Sequence, residues 1–165
     1  MMGFLRNLGS VRRGPAAVTM VAAAVFTAAI MIRAYAAAPA GDIPSGNVIQ
    51  PQELAQALKS AQKPVVLYTG PEEFYAQAHI PGAENIGPAG KPEGMKKLRA
   101  RAASLSKDMP VVIYCGCCPW DHCPNIRPAF AELKKLGFSK VRVLYLATSL
   151  GVDWKDKGFP VASGE

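Results

Sequence analysis

A repeated five-residue run sets the architecture: Pro64-Val65-Val66-Leu67-Tyr68 and Pro110-Val111-Val112-Ile113-Tyr114. Each is apolar, rich in β-branched residues and too short for a helix, the pattern of a strand buried on both faces. Strands of that kind belong to sheets covered on both sides, which are built from parallel strands joined by helical crossovers.

The segments around the two runs fit that plan. "VI" at 48–49 reads as a short strand, and "PQELAQALKSA" as a helix with Pro51 at its start and Leu54 and Leu58 on one face. A brief helix is predicted at 72–78, followed by a turn at Pro81-Gly82. "EGMKKLRARAASL" places Met95, Leu98 and Leu105 inward, and "NIRPAFAELKKLG" does the same with Ile126, Phe130 and Leu133 before stopping at Gly137. "KVRVLYL" is the last strand, and Trp154 reads as core. Strand and helix alternate throughout, so residues 48–161 are predicted to form one α/β domain with a mainly parallel central sheet flanked by helices on both faces.

The start of the 165-residue chain follows different rules. Arg6, Arg12 and Arg13 precede an apolar stretch from Gly14 to Ile32, and Ala34-Tyr35-Ala36 offers the small residues a signal peptidase accepts. The stretch is also long enough to span a bilayer, with the arginines on the cytoplasmic side. Residues 1–36 are therefore a signal peptide or an N-terminal membrane anchor, and residues 37–47, rich in Pro, Gly and Ser, a linker. Both readings place the domain in the periplasm or elsewhere outside the cytoplasm, tethered to the inner membrane by residues 14–32 if uncleaved. Removing the segment takes away four arginines and no acids, so the formal charge falls from +7 to +3. No basic cluster is interleaved with aromatics, and nucleic acid is not an expected partner.

All four cysteines lie in "YCGCCPWDHCPNIRPAF", residues 114–130, between a strand end and a helix start. That junction carries unpaired backbone N–H groups and the positive end of a helix dipole, and a turn-forming Gly116 lets the backbone come close. A thiol held there is expected to have a stabilised thiolate and so to be a good nucleophile. Cys115 is the best fixed of the four, because the strand positions it. The N–H groups of residues 116–123 are the expected anion cradle, and Arg127 the charge partner. Gly116, Cys117, Cys118, Trp120, Asp121, His122 and Cys123 are accordingly the expected substrate-binding residues.

"PVVIYC", the following helix ending "LKKLGF", the strand "KVRVLYL" and "WKDKGFPV" resemble the second half of a rhodanese-like domain. "PEEFYAQAHIPGAENI", with His79-Ile80-Pro81-Gly82-Ala83, is similar to that family's first-half signature, and Trp154, Gly158, Pro160 and Val161 match as well. The resemblance implies a sulfurtransferase. Cys115 takes the catalytic position and carries sulfane sulfur as a persulfide, from a small anionic donor such as thiosulfate to cyanide or a thiol. No cofactor is implied. The cysteine loop is longer than the family's usual one, its loop arginine has no direct counterpart here, and Asn125 lies near the aligned position.

Other chemistries use the same residues. Cys117, Cys118, His122 and Cys123 form an alternative metal set for copper or zinc, although paired Cys-x2-Cys knuckles are absent. Outside the cytoplasm thiols oxidise, so Cys118 with Cys123 is a candidate disulfide, and a thiol beside Cys115 is placed to resolve a persulfide. A metal-binding or thiol-disulfide redox module on the same fold is thus the alternative function. His79 reads as a structural residue bonded to a turn.

Overall fold

The computed structural model describes residues 42–164; the expected signal or anchor segment, residues 1–36, lies outside them. Among the described residues no helix is long and apolar enough to cross a membrane.

Five parallel strands form the sheet: β1 (Val48–Ile49), β2 (Val65–Tyr68), β3 (Glu84–Asn85), β4 (Val111–Tyr114) and β5 (Val141–Leu144), in the order β1-β5-β4-β2-β3. The two repeated runs are the neighbouring strands β2 and β4, paired from Val65 opposite Val111 to Tyr68 opposite Tyr114. The helices are α1 (Pro51–Ala57), α2 (Glu72–Gln77), α3 (Pro92–Ala103), α4 (Ile126–Lys135) and α5 (Leu150–Asp153), with a short 3-10 turn, Trp120–His122, in the cysteine loop.

Alternation along the strands builds two cores. Leu67, Val111, Ile113, Val141 and Val143 pack with Leu98 and Ala102 of α3 and with Ile126, Ala129 and Leu133 of α4. Val66, Tyr68, Val112, Tyr114 and Leu144 turn to the opposite face, against Leu54 of α1, Tyr75 of α2, and Leu150 and Trp154. Each fully buried Val, Leu or Ile contributes roughly 1.5–3 kcal/mol by leaving water. The expected helices at Pro51, at 72–78 and at Ile126 are present, and Trp154 is fully buried, its indole N–H donating to Pro160 O at 2.8 Å. His79 stacks on Tyr75 and its Nδ1 lies 2.9 Å from Tyr75 O, the structural role its sequence position suggests.

This strand order fixes where a site can form. After β2 the chain leads toward the β3 edge, whereas after β4 it leads to α4 and on to β5 on the other side. The crevice between the carboxyl ends of β2 and β4 is therefore the point where crossovers diverge, the usual ligand position in a parallel sheet. Thr69 closes it at the bottom, its N–H and Oγ1 both donating to Tyr114 O at 2.8 and 3.1 Å.

Candidate functional site

Cys115 is the first residue beyond β4. Ile113 packs on the α3–α4 side and Tyr114 on the other, so alternation returns Cys115 to the α4 side, where it is 3% exposed. Gly116 then turns the chain at φ 77°, a conformation costing a residue with a Cβ about 1–2 kcal/mol. A Cβ there would come within 2.9 Å of the Leu150 Cβ, and Leu150 N–H donates to Gly116 O at 3.0 Å. The loops after β4 and β5 are thus joined at this glycine.

Beyond the turn, Cys117 Sγ lies 3.1 Å from Cys115 Sγ, and Cys118 Sγ 3.5 Å from Cys117 Sγ. Asn125, 4% exposed and just ahead of α4, donates its Nδ2 to Cys115 Sγ at 3.4 Å and accepts from Gly90 N–H at 3.0 Å through Oδ1. From the β2 side Gly70 leans on the same sulfur: a Cβ on it would sit 3.0 Å from Cys115 Sγ and closer still to the Tyr68 hydroxyl.

The sulfur, although buried, lines a cavity of about 310 Å³ with Tyr68, Phe74, Gln77, Cys117 and Lys155. A second cavity of about 660 Å³ is lined by Glu72, Lys91, Cys117, Cys118 and His122, so Cys117 belongs to both walls. A larger one, about 840 Å³, lies against Gln52, Leu58, Trp154 and Phe159 and has no cysteine in its lining. We place the site at the smallest of these three, because Cys115, the cysteine fixed by the end of β4, lines it and lines neither of the other two.

The electrostatics differ from the sequence expectation. Cys115 was expected to hold a stabilised thiolate; instead its thiol is pushed up to about 12, first by its hydrogen bond to Cys117 and then by burial, which outweigh Cys123, the Cys117 N–H and Asn125 acting in the opposite direction. Cys123 is likewise pushed up, by Cys115 and by burial, and Cys118 by burial. The expected amide cradle is also only partial. The Cys117 N–H bonds to the Cys115 sulfur, but those of Trp120, His122 and Cys123 bond to the carbonyls of Ala147, Pro119 and Trp120. The N–H groups of Asn125 and Ile126 at the head of α4 serve Cys123 rather than Cys115.

Several predicted residues fall elsewhere. Arg127 donates to Trp120 O at 3.0 Å and braces the loop with its guanidinium over the Trp120 ring, while Trp120 packs on Tyr145. Asp121 and His122 are exposed in the 3-10 turn, and Cys123 is buried beside Cys115. The alternative metal set of Cys117, Cys118, His122 and Cys123 is not assembled. Among the described residues the ligand atoms gathered within 4.8 Å of one another are those of Cys115, Cys117 and Cys118. All four cysteines are free thiols, so the Cys118–Cys123 disulfide is not formed. Lys155 was missed: it lies forty positions beyond the nucleophile, and only the fold-back through α5 brings it to the cavity.

Comparison with known proteins agrees with this fold. The model of the rhodanese-like domain matches residues 50–147. The crystal structure of the Alr3790 protein from Anabaena sp. superposes with a TM-score of 0.54 at 21% identity, over 70% of this chain and 82% of that one. The solution structure of the rhodanese-like domain of the same protein gives 0.52 at 22%, over 71% and 79%. The crystal structure of thiosulfate sulfurtransferase from Pseudomonas aeruginosa gives 0.53 at 25%, over 72% of this chain and 20% of that much longer one. No curated protein matches the sequence. With its parallel sheet, its cysteine at the end of the central strand and a family match across most of the described domain, the chain belongs to the rhodanese-like domain family.

Proposed function

We propose that the protein is a sulfurtransferase acting outside the cytoplasm, released or tethered by residues 1–36, with Cys115 as the residue that carries sulfur. One observation carries the reading: Cys115, buried and bonded through its sulfur to Asn125, lines a 310 Å³ cavity whose lining also includes Lys155. The thiosulfate sulfurtransferase of Pseudomonas aeruginosa lends the donor class.

Cys115 first gives up its proton to solvent, against the pull of its bond to Cys117 and of burial. Its Sγ then attacks the outer sulfur of a thiosulfate-like anion. A Cys115–S bond forms, the donor's S–S bond breaks, and sulfite leaves with the bonding electron pair. Lys155 draws the anion in, while Asn125 and the Cys117 N–H stabilise negative charge on the sulfur. An acceptor thiolate or cyanide next attacks the outer sulfur and restores the Cys115 thiolate. Thiosulfate:cyanide turnover tests this: Cys115→Ser is expected to abolish thiocyanate production, and undiminished turnover in that variant would refute the assignment.

A second reading, a soft-metal site on the same fold, is favoured by the three thiols within 4.8 Å. Three thiolates suit monovalent copper, whereas zinc takes four ligands. Copper(I) titration of the reduced protein under anaerobic conditions distinguishes the two, since a stoichiometric complex lost in Cys118→Ala supports the metal reading.

A further inference from the structure

Resting on the persulfide reading, we propose that Cys117 resolves the Cys115 persulfide, so that the protein reduces sulfane sulfur to hydrogen sulfide at the expense of an external dithiol. The 3.1 Å contact runs from Cys117 to Cys115 Sγ, the inner atom of a Cys115 persulfide. Attack there expels the outer sulfur as hydrosulfide, whereas attack on the outer atom would free the Cys115 thiolate and only move the sulfane sulfur to Cys117.

The step balances. The Cys117 sulfur forms a bond to Cys115 Sγ, the Cys115 S–S bond breaks, and the outer sulfur leaves as hydrosulfide with the electron pair and the proton from Cys117. Two electrons pass from the two cysteines to the sulfane sulfur, leaving a Cys115–Cys117 disulfide. A dithiol then reduces it by thiol–disulfide exchange, which returns both thiols. Over a full cycle thiosulfate and dithiol become sulfite, sulfide and a disulfide.

Three structural facts favour this pair. To reach bonding distance the sulfurs must approach by only about 1 Å. The residue between them, Gly116, already has a positive φ, so the turn that brings one cysteine over the other is built in. Cys117 also lines the 660 Å³ cavity, which gives a reducing dithiol a second approach while the donor pocket faces Cys115. Cys123, buried beside Cys115, lines neither of these two cavities.

The test is a single turnover: fully reduced protein, freed of reductant and oxygen, receives one equivalent of thiosulfate. Sulfite, sulfide, intact mass and disulfide position are measured. Wild type is expected to release one sulfite and one sulfide per chain and to become lighter by two hydrogens, with the new bond mapped to Cys115 and Cys117. Cys117→Ala is expected to release sulfite but no sulfide and to hold one extra sulfur on Cys115. Sulfite release with a stable extra sulfur in wild type, or a bond mapped to another cysteine pair, overturns the resolving role and leaves the sulfurtransferase reading intact. Absence of sulfite from wild type overturns both. Should Cys117→Ala fail to fold, the wild-type bond map decides alone.

Discussion

The side chain of Asn125 ties the nucleophile to a neighbouring loop: its Nδ2 donates to Cys115 Sγ at 3.4 Å while its Oδ1 accepts from Gly90 N–H at 3.0 Å. The first bond favours the thiolate, so its loss moves the thiol further up. Asn125→Ala is therefore expected to slow alkylation of Cys115 at fixed pH and to cost about 1–2 kcal/mol of stability. Asn125→Asp, which sets a carboxylate beside the sulfur, is expected to slow it more. Timed iodoacetamide labelling with peptide mass mapping reads the first effect, and urea unfolding the second.

Proton occupancy at Cys115 sets a pH dependence. With its thiol pushed up to about 12, the reactive thiolate is scarce at neutral pH and grows about tenfold per pH unit. Labelling of Cys115 is expected to keep rising well beyond the ordinary thiol value of about 8.5. Because the bond to Cys117 is the largest cause of the shift, Cys117→Ala is expected to move the profile toward lower pH. A wild-type plateau near neutrality would contradict this. Folding is linked with the same sign: the raised folded-state value costs no stability below the ordinary thiol value, and stability is lost as pH climbs toward 12.

Lys155 lines the donor cavity and is exposed. An exposed charge acts weakly, so Lys155→Ala is expected to raise KM for thiosulfate about two- to fivefold with little change in kcat. Added salt should shrink the difference between the two proteins. Steady-state kinetics at low and high ionic strength check both.

Gly116 combines φ 77° with a Leu150 Cβ only 2.9 Å from where its own Cβ would stand. Gly116→Ala is expected to destabilise the fold by at least about 1–2 kcal/mol, the conformational cost alone, and to separate Cys115 from Cys117. Thermal unfolding and single-turnover sulfide release measure the two consequences independently.

What the sequence revealed follows from how local each signal is. β2 and β4 are legible because five apolar residues in a row have few alternatives, and Cys115 inherits its position from β4. β3 escapes notice: Glu84-Asn85 is held by backbone pairing to Leu67 and Tyr68, with no apolar pattern of its own. α5, four residues long, is too short to show helical spacing. The roles of Asn125 and Arg127 depend on tertiary partners. Both stand at the head of α4, yet one faces the sulfur and the other the Trp120 carbonyl. Thiolate chemistry was misread for the same reason: a strand-to-helix junction suggests stabilisation, whereas crowding by Cys117 and burial reverse it.

The central claim is that Cys115 accepts a second sulfur atom. Its most direct measurement is the intact mass of Cys117→Ala, reduced and then exposed to thiosulfate, before and after cyanide. The account predicts one added sulfur, mapped to Cys115, removed by cyanide with equimolar thiocyanate and absent when Cys115→Ser is also present. No mass gain in the folded protein, or a gain that survives loss of Cys115, would contradict it.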